Sequence, residues 1–109
     1  MADITYAQAI SYGTMHAMAN DDDTVVLGVG VTDTKGIFGT TKGARMAYPE
    51  RVIETPLSEN MLTGALMGLV HAGKKPMMVH ARADFLTLSA EHIINTLAKW
   101  PFMSGDQDY

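Results

Sequence analysis

Glu59 ends the run Thr55-Pro56-Leu57-Ser58-Glu59, and Gly64-Ala65-Leu66-Met67-Gly68-Leu69 begins five residues later. This is an acid at the expected start of a helix whose next turns carry two glycines four residues apart. A carboxyl in a first helical turn is ordinarily held as the anion by the macrodipole and the free N–H groups. Here its neighbours Leu57, Met61 and Leu62 are apolar, a setting in which a carboxyl can share a proton and serve acid–base chemistry. Gly64 and Gly68 share one helix face, so a second element can approach that face closely. Phe85, within Ala83-Asp84-Phe85, is an aromatic residue opening the last expected helix. His80 and Arg82 close an apolar run two residues apart, which on a strand points both the same way and suits a carboxylate or phosphate. His16, His71 and His92 are isolated, and neither H-x-x-x-H nor H-E-x-x-H occurs, so no metal site is expected from this chain. Each residue also has a plainer reading: a helix-start acid, packing glycines, a core aromatic, surface histidines.

The elements that must position these residues follow from periodicity. Thr5 is a candidate N-cap for a helix over 5–20, with Ala7, Ile10, Thr14 and Ala17 recurring at three- and four-residue steps. Asn20-Asp21-Asp22-Asp23 is a polar break, best read as a solvated turn. The continuous apolar run 24–29 suits a strand covered on both faces, as in a parallel sheet. Residues 28–43 are rich in Gly and Thr and read as a long loop. Gly28-Val29-Gly30 lacks both the dinucleotide and the P-loop spacing, so no self-contained nucleotide site is predicted. A short helix is expected over 41–46, a strand over 51–53 and a helix capped by Ser58. The apolar face of that helix comprises Met61, Leu62, Ala65, Leu66, Leu69 and Val70, and Gly73 ends it. A third strand over 76–81 precedes a last helix from about 85 to Pro101. Alternating strands and helices predict an α/β fold, a largely parallel sheet flanked by helices in three layers, as one domain over 1–109.

Composition sets bounds. Apolar residues make up 47% and charged residues 18% of the 109, enough for a packed core. A net charge of −4 without any basic stripe argues against nucleic acid as a partner. There is no cysteine, so neither a disulfide framework nor a thiolate site is available. No basic segment followed by an apolar block opens the chain, and no run approaches the roughly 20 apolar residues that span a bilayer. A cytoplasmic protein without membrane contact is the expectation.

With these motifs in order, the chain resembles the pyrimidine-binding domain of thiamine-diphosphate enzymes, most of all the β subunit of the first component of 2-oxoacid dehydrogenase complexes (pyruvate, branched-chain and acetoin types). The likeness runs nearly end to end. It comprises Ile4-Thr5-Tyr6-Ala7-Gln8-Ala9-Ile10, Val26-Leu27-Gly28, Gly36-Ile37-Phe38, Thr41-Lys42-Gly43, Pro49-Glu50-Arg51-Val52, the Glu59 motif, Ala83-Asp84-Phe85, Ala98-Lys99-Trp100 and Met103-Ser104-Gly105. The resemblance implies that Glu59 is the catalytic acid, bonding a ring nitrogen of the cofactor's aminopyrimidine and favouring the imino tautomer that deprotonates the thiazolium carbon. It implies that Phe85, Leu57 and Ala81 line the cofactor, and that Gly64 and Gly68 let two such helices cross at a self-association interface. The activity implied is decarboxylation of a 2-oxo acid with acyl transfer to a carrier. The G-D-G motif that binds diphosphate through Mg²⁺ is missing, so a diphosphate-binding α-type subunit is the implied partner, thiamine diphosphate is shared with it, and the chain alone is expected to be inactive.

Three features depart from that family. Gly28-Val29-Gly30 stands where the β subunits carry Gly-Glu-Asp, which puts turnover or communication between paired sites in doubt. Ala81-Arg82 replaces a bulkier residue and an apolar one near the pyrimidine. The sequence ends at Tyr109, a point inside the family's pyrimidine domain, so the expectation is of a truncated domain with an open sheet edge. Three alternatives stay open: a split transketolase-like enzyme, a non-catalytic interaction module that keeps the fold, and a different α/β protein that carries the Glu59–Gly64 spacing by chance.

Overall fold

The structure, a computed structural model, describes residues 3–105. It opens as Thr5 predicts: the Thr5 hydroxyl accepts the Gln8 N–H at 3.2 Å while the Gln8 side-chain oxygen accepts the Thr5 N–H at 2.8 Å. This reciprocal capping box starts α1 (Tyr6–Asn20). Its inward face is rotated from the expected stripe: Thr14 and Met18 are buried, whereas Ile10 lies 40% exposed. The acidic turn is not merely solvated. Asp21 pairs with Lys75 and Asp23 with Lys74, tying the end of α1 to the start of the third strand.

β1 (Thr24–Gly28) is buried along its whole length, as a continuous apolar run in the centre of a parallel sheet must be. It lies between β2 (Val52–Glu54) and β3 (Lys75–Val79), both parallel to it, in the order β2-β1-β3. The register sets Gly28 opposite both Glu54 and Val79, so all three strands end level. Gly28 is required there for a reason of space: a Cβ would sit 2.4 Å from the Val79 carbonyl oxygen. The first glycine of Gly28-Val29-Gly30 thus serves the close approach of β3.

One face of the sheet carries the core of Met18, Val26, Val31, Ala44 and Val52, with Met77 and Val79 packed on it. α1 and α2 (Lys42–Ala47) cover that face. α3 (Glu59–His71) covers the other, its Thr63 hydroxyl 3.6 Å from the Met78 sulfur. Three layers result, in agreement with the predicted α/β class.

Several boundaries differ from expectation. Ser58 occupies the N-cap position of α3, but its side chain makes no capping bond. Met61 and Ala65 are exposed on α3, and the residue buried most deeply is the polar Thr63. β3 stops at Val79, so His80 and Arg82 lie beyond it and the alternation that would align them no longer applies. The last helix is irregular: α4 (Ala83–Leu86) runs on through a tight turn Thr87–Ser89 and a wide helical turn His92–Leu97, with right-handed helical backbone at each junction, into α5 (Trp100–Ser104). Ser89 turns wholly inward where the helix tightens, and Pro101, which has no N–H to donate, falls in the first turn of α5 instead of ending the helix. Residues 106–109, expected to continue the domain, lie outside the described residues. Among the described residues no helix is long and apolar enough to cross a membrane.

Candidate active site

The level ends of three parallel strands create the site. After β1 the chain turns into Val29; after β2 it runs through Leu57 to Glu59 at the head of α3; after β3 it passes His80 and Ala81 to reach α4 and Phe85. The strand order changes direction between β1 and β3, and in open α/β sheets ligands collect at that crevice, outside the carboxyl ends of the strands. A cavity of about 60 Å³ lies at this place, walled by Val29, Leu57, Glu59, Leu62, Met78, Val79, His80, Ala81 and Phe85. Its walls thus include Leu57, Glu59, Ala81 and Phe85 together with His80.

Arg82 is not one of those walls. Its guanidinium reaches Asp84 at 3.2 Å and lies 4.5 Å from the centre of the Phe85 ring. Its visible task is to hold the outer side of Phe85, and a paired His80–Arg82 anion site is not what the local geometry builds. The cavity itself carries one carboxyl, one imidazole and otherwise apolar side chains. Apolar walls with a few convergent polar groups are the usual make-up of a small-molecule crevice. The cavity is small and open to solvent on one side. Leu57, 74% exposed, forms its open lip.

Glu59 is half-buried, and its main chain is fixed from below. The Thr63 hydroxyl lies 2.8 Å from the Glu59 carbonyl oxygen and 2.7 Å from the Ser89 hydroxyl, which is itself 3.3 Å from that carbonyl. Sequence reading missed both residues. A Thr within a helix and a Ser in a turn carry no local signal that they meet 26 residues apart.

A third missed residue is Glu54, which closes β2. Its carboxylate accepts the Gly30 N–H at 2.5 Å, the Thr32 N–H at 3.0 Å and the Thr32 hydroxyl at 2.8 Å. Burial works against the anion, but these donors outweigh it and hold the carboxyl below its usual range. Glu54 thereby fastens the loop over 29–41, whose first residue is the cavity wall Val29. The same loop holds Ile37 and Phe38 in the left-handed region, at φ of 42° and 57°, a conformation costly for any residue with a Cβ. Phe38 is 81% exposed.

The two glycines of α3 part ways. A Cβ on Gly64 would stand 2.9 Å from the His92 ring, so the space at Gly64 is used by the chain's own imidazole. A Cβ on Gly68 would meet nothing within 4 Å, and Gly68 is exposed.

Fold and site together define an α/β domain with an acid-bearing crevice at the strand ends. A family model described as "Transketolase, pyrimidine binding domain" matches residues 2–105, and the chain belongs to that family. It is similar to the pyruvate dehydrogenase E1 component subunit beta of Rickettsia bellii, 32% identical over 105 residues, covering 95% of this chain and 32% of that protein. It is likewise similar to the mitochondrial subunit beta-1 of Arabidopsis thaliana, 34% identical over 106 residues, covering 96% of this chain and 29% of that protein. For the mitochondrial subunit beta of Saccharomyces cerevisiae the identity is 29% over 103 residues, covering 94% of this chain and 28% of that protein. The chain therefore spans about a third of the length of these curated relatives.

Proposed function

We propose that this chain supplies the cofactor-activating half of a thiamine-diphosphate-dependent 2-oxo acid dehydrogenase, with Glu59 as its catalytic acid. The observation that carries the reading is the convergence of Glu59 with Leu57, Ala81 and Phe85 on one small crevice at the sheet's switch point. Thiamine diphosphate, when bound, supplies the electron sink for loss of CO₂ from a 2-oxo acid. The chain's own residues do the rest of what this half requires. Phe85 and Leu57 present apolar surface to the pyrimidine, Ala81 leaves room at its edge, and the Glu59 carboxyl holds a proton against a ring nitrogen. His80, on the same wall, is the residue this reading assigns to the 2-oxo acid.

The diphosphate end and its Mg²⁺ need a different set of groups. Among the described residues no three His, Asp or Glu side chains gather as a metal site. A diphosphate-binding α-type chain, seated against the open lip at Leu57, is the partner this reading requires. Gly68 is the point on α3 where a second copy of the domain can approach.

The deciding experiment is calorimetric binding of thiamine diphosphate with Mg²⁺ to this chain, alone and mixed with an E1-type α subunit, for wild type and Glu59→Gln. Binding confined to the mixture, with turnover abolished by the substitution, is the expected result. A mixture that forms a complex yet neither binds cofactor nor responds to Glu59 sinks the enzyme reading and leaves an interaction module.

A further inference from the structure

Thr63 and Ser89 are 3% and 0% exposed, and their hydroxyls are 2.7 Å apart. Burying a hydroxyl costs free energy unless it is hydrogen-bonded, and an apolar pair of similar size would fill this space without that demand. The pair must therefore be judged by what it joins. Two hydroxyls hold two protons; in either order one proton closes the pair and the other ends on the Glu59 carbonyl. Thr63 also contacts the sulfur of Met78, a cavity wall on β3. Ser89 ends the tight turn Thr87–Ser89, which follows directly from α4, the helix that carries Phe85. One buried cluster thus links the head of α3, the end of β3 and the α4 turn, the three elements that hold the acid, the floor and the aromatic wall.

We infer that the Thr63–Ser89 hydroxyl pair is the positioning device of this site, fixing where Glu59 stands relative to Phe85. Neither residue lines the cavity, so both act through others and neither is catalytic. The inference rests on the proposed role of Glu59. Its physical basis is that a misplacement of about 1 Å in a catalytic constellation costs on the order of 10²-fold in rate, while affinity for a cofactor held mainly elsewhere changes little.

The test uses the full chain mixed with an E1-type α subunit, thiamine diphosphate and Mg²⁺. Thr63→Val keeps the shape and removes the hydroxyl; Thr63→Ser keeps the hydroxyl and removes a methyl. Thr63→Val is expected to lower kcat about tenfold with the calorimetric Kd of the cofactor within about threefold of wild type, and Thr63→Ser to recover most of kcat. A packing role orders the variants the other way, because Val fills the space better than Ser. In the chain alone, amide exchange at Thr63 and Phe85 is expected to rise together in Thr63→Val. Should Thr63→Val fail to fold, Ser89→Ala, a smaller change, is expected to show the same kcat loss. Wild-type kcat in Thr63→Val, or equal losses in the Val and Ser variants, overturns the inference while leaving the Glu59 reading intact. Absence of cofactor binding by the wild-type mixture overturns both.

Discussion

Glu59 gains its setting from neighbours that are mostly apolar, and the role proposed for it is tested by one substitution. Glu59→Gln keeps the side chain's size and its place at the head of α3 but cannot hold a carboxyl proton. Turnover in the mixture is expected to fall by about 10²-fold or more, with urea stability within about 0.5 kcal/mol of wild type, as for a surface change that breaks no buried network. Phe85→Leu removes the flat ring while keeping an apolar side chain, and the cofactor Kd is expected to rise by up to about tenfold. Gly68 poses a different question. Within the chain nothing opposes a Cβ there, so Gly68→Ala is expected to stabilise α3 by about 0.5–1 kcal/mol. If that face receives another copy of the domain, sedimentation of the same variant shows weakened assembly. A variant that gains stability while losing association separates the two uses of glycine; one that gains stability and assembles normally removes Gly68 from the interface.

At the scale of elements, the site depends on how the loop over 29–41 is moored to β2. Glu54 does this as an anion, its folded carboxyl lying below the usual value of 4.5. A depressed carboxyl contributes stability that is present above its unfolded value and lost as pH falls through the folded one. The protection factors of the Gly30 and Thr32 amides, with the intrinsic pH dependence of exchange divided out, are therefore expected to fall as pH is lowered from about 6 to 3, below the ordinary carboxylate range. In Glu54→Gln exchange is expected to be faster throughout and to lose that acid-side step. No change in either amide would show that the loop is held by other means, such as the Thr41 hydroxyl on the Val31 carbonyl. The sequence made part of this scale legible. The unbroken apolar run of β1 suits a covered strand, and Thr5 was legible as the N-cap of α1, whereas its reciprocal bond with Gln8 was not. Glu59, Leu57, Ala81 and Phe85 were singled out on resemblance, and the level strand ends place them in one crevice. What stayed illegible depends on partners distant in the chain: Thr63 reads as an interruption of an apolar face until Ser89 meets it. The end of β3 at Val79 was misjudged because His80 and Ala81 prolong an apolar pattern that the sheet does not use.

The whole molecule is a sheet with β2 and β3 at its edges among the described residues, and an edge strand offers unpaired backbone groups to any other chain. β3 is the longer of the two edges and reads Lys-Pro-Met-Met-Val, an apolar run that would template pairing if left unguarded. Two residues guard it. Pro76 has no N–H to give and is tolerated in strands chiefly at edges, and Lys75 places a charge at the strand's start. Lys75 does more than repel, because its ammonium pairs with Asp21 at the end of α1. That pairing raises the lysine above its usual range and lowers the aspartate below its own. The aspartate's contribution is accordingly present above its unfolded value and lost as pH falls through the folded one, whereas the lysine's is lost only as pH rises past the raised value. Lys75→Val removes the charge and the pair together and extends the apolar run. Light scattering is expected to show concentration-dependent aggregation of Lys75→Val at neutral pH under conditions where wild type stays dispersed. Lys75→Arg, which keeps the charge, is expected to behave as wild type. A partner chain that covers β3 is expected to suppress aggregation of Lys75→Val, whereas one that covers only the Leu57 lip leaves it unchanged. The variant thus reports which side of the domain the partner occupies. Equal dispersal of Lys75→Val and wild type would show that the edge is already closed by other means.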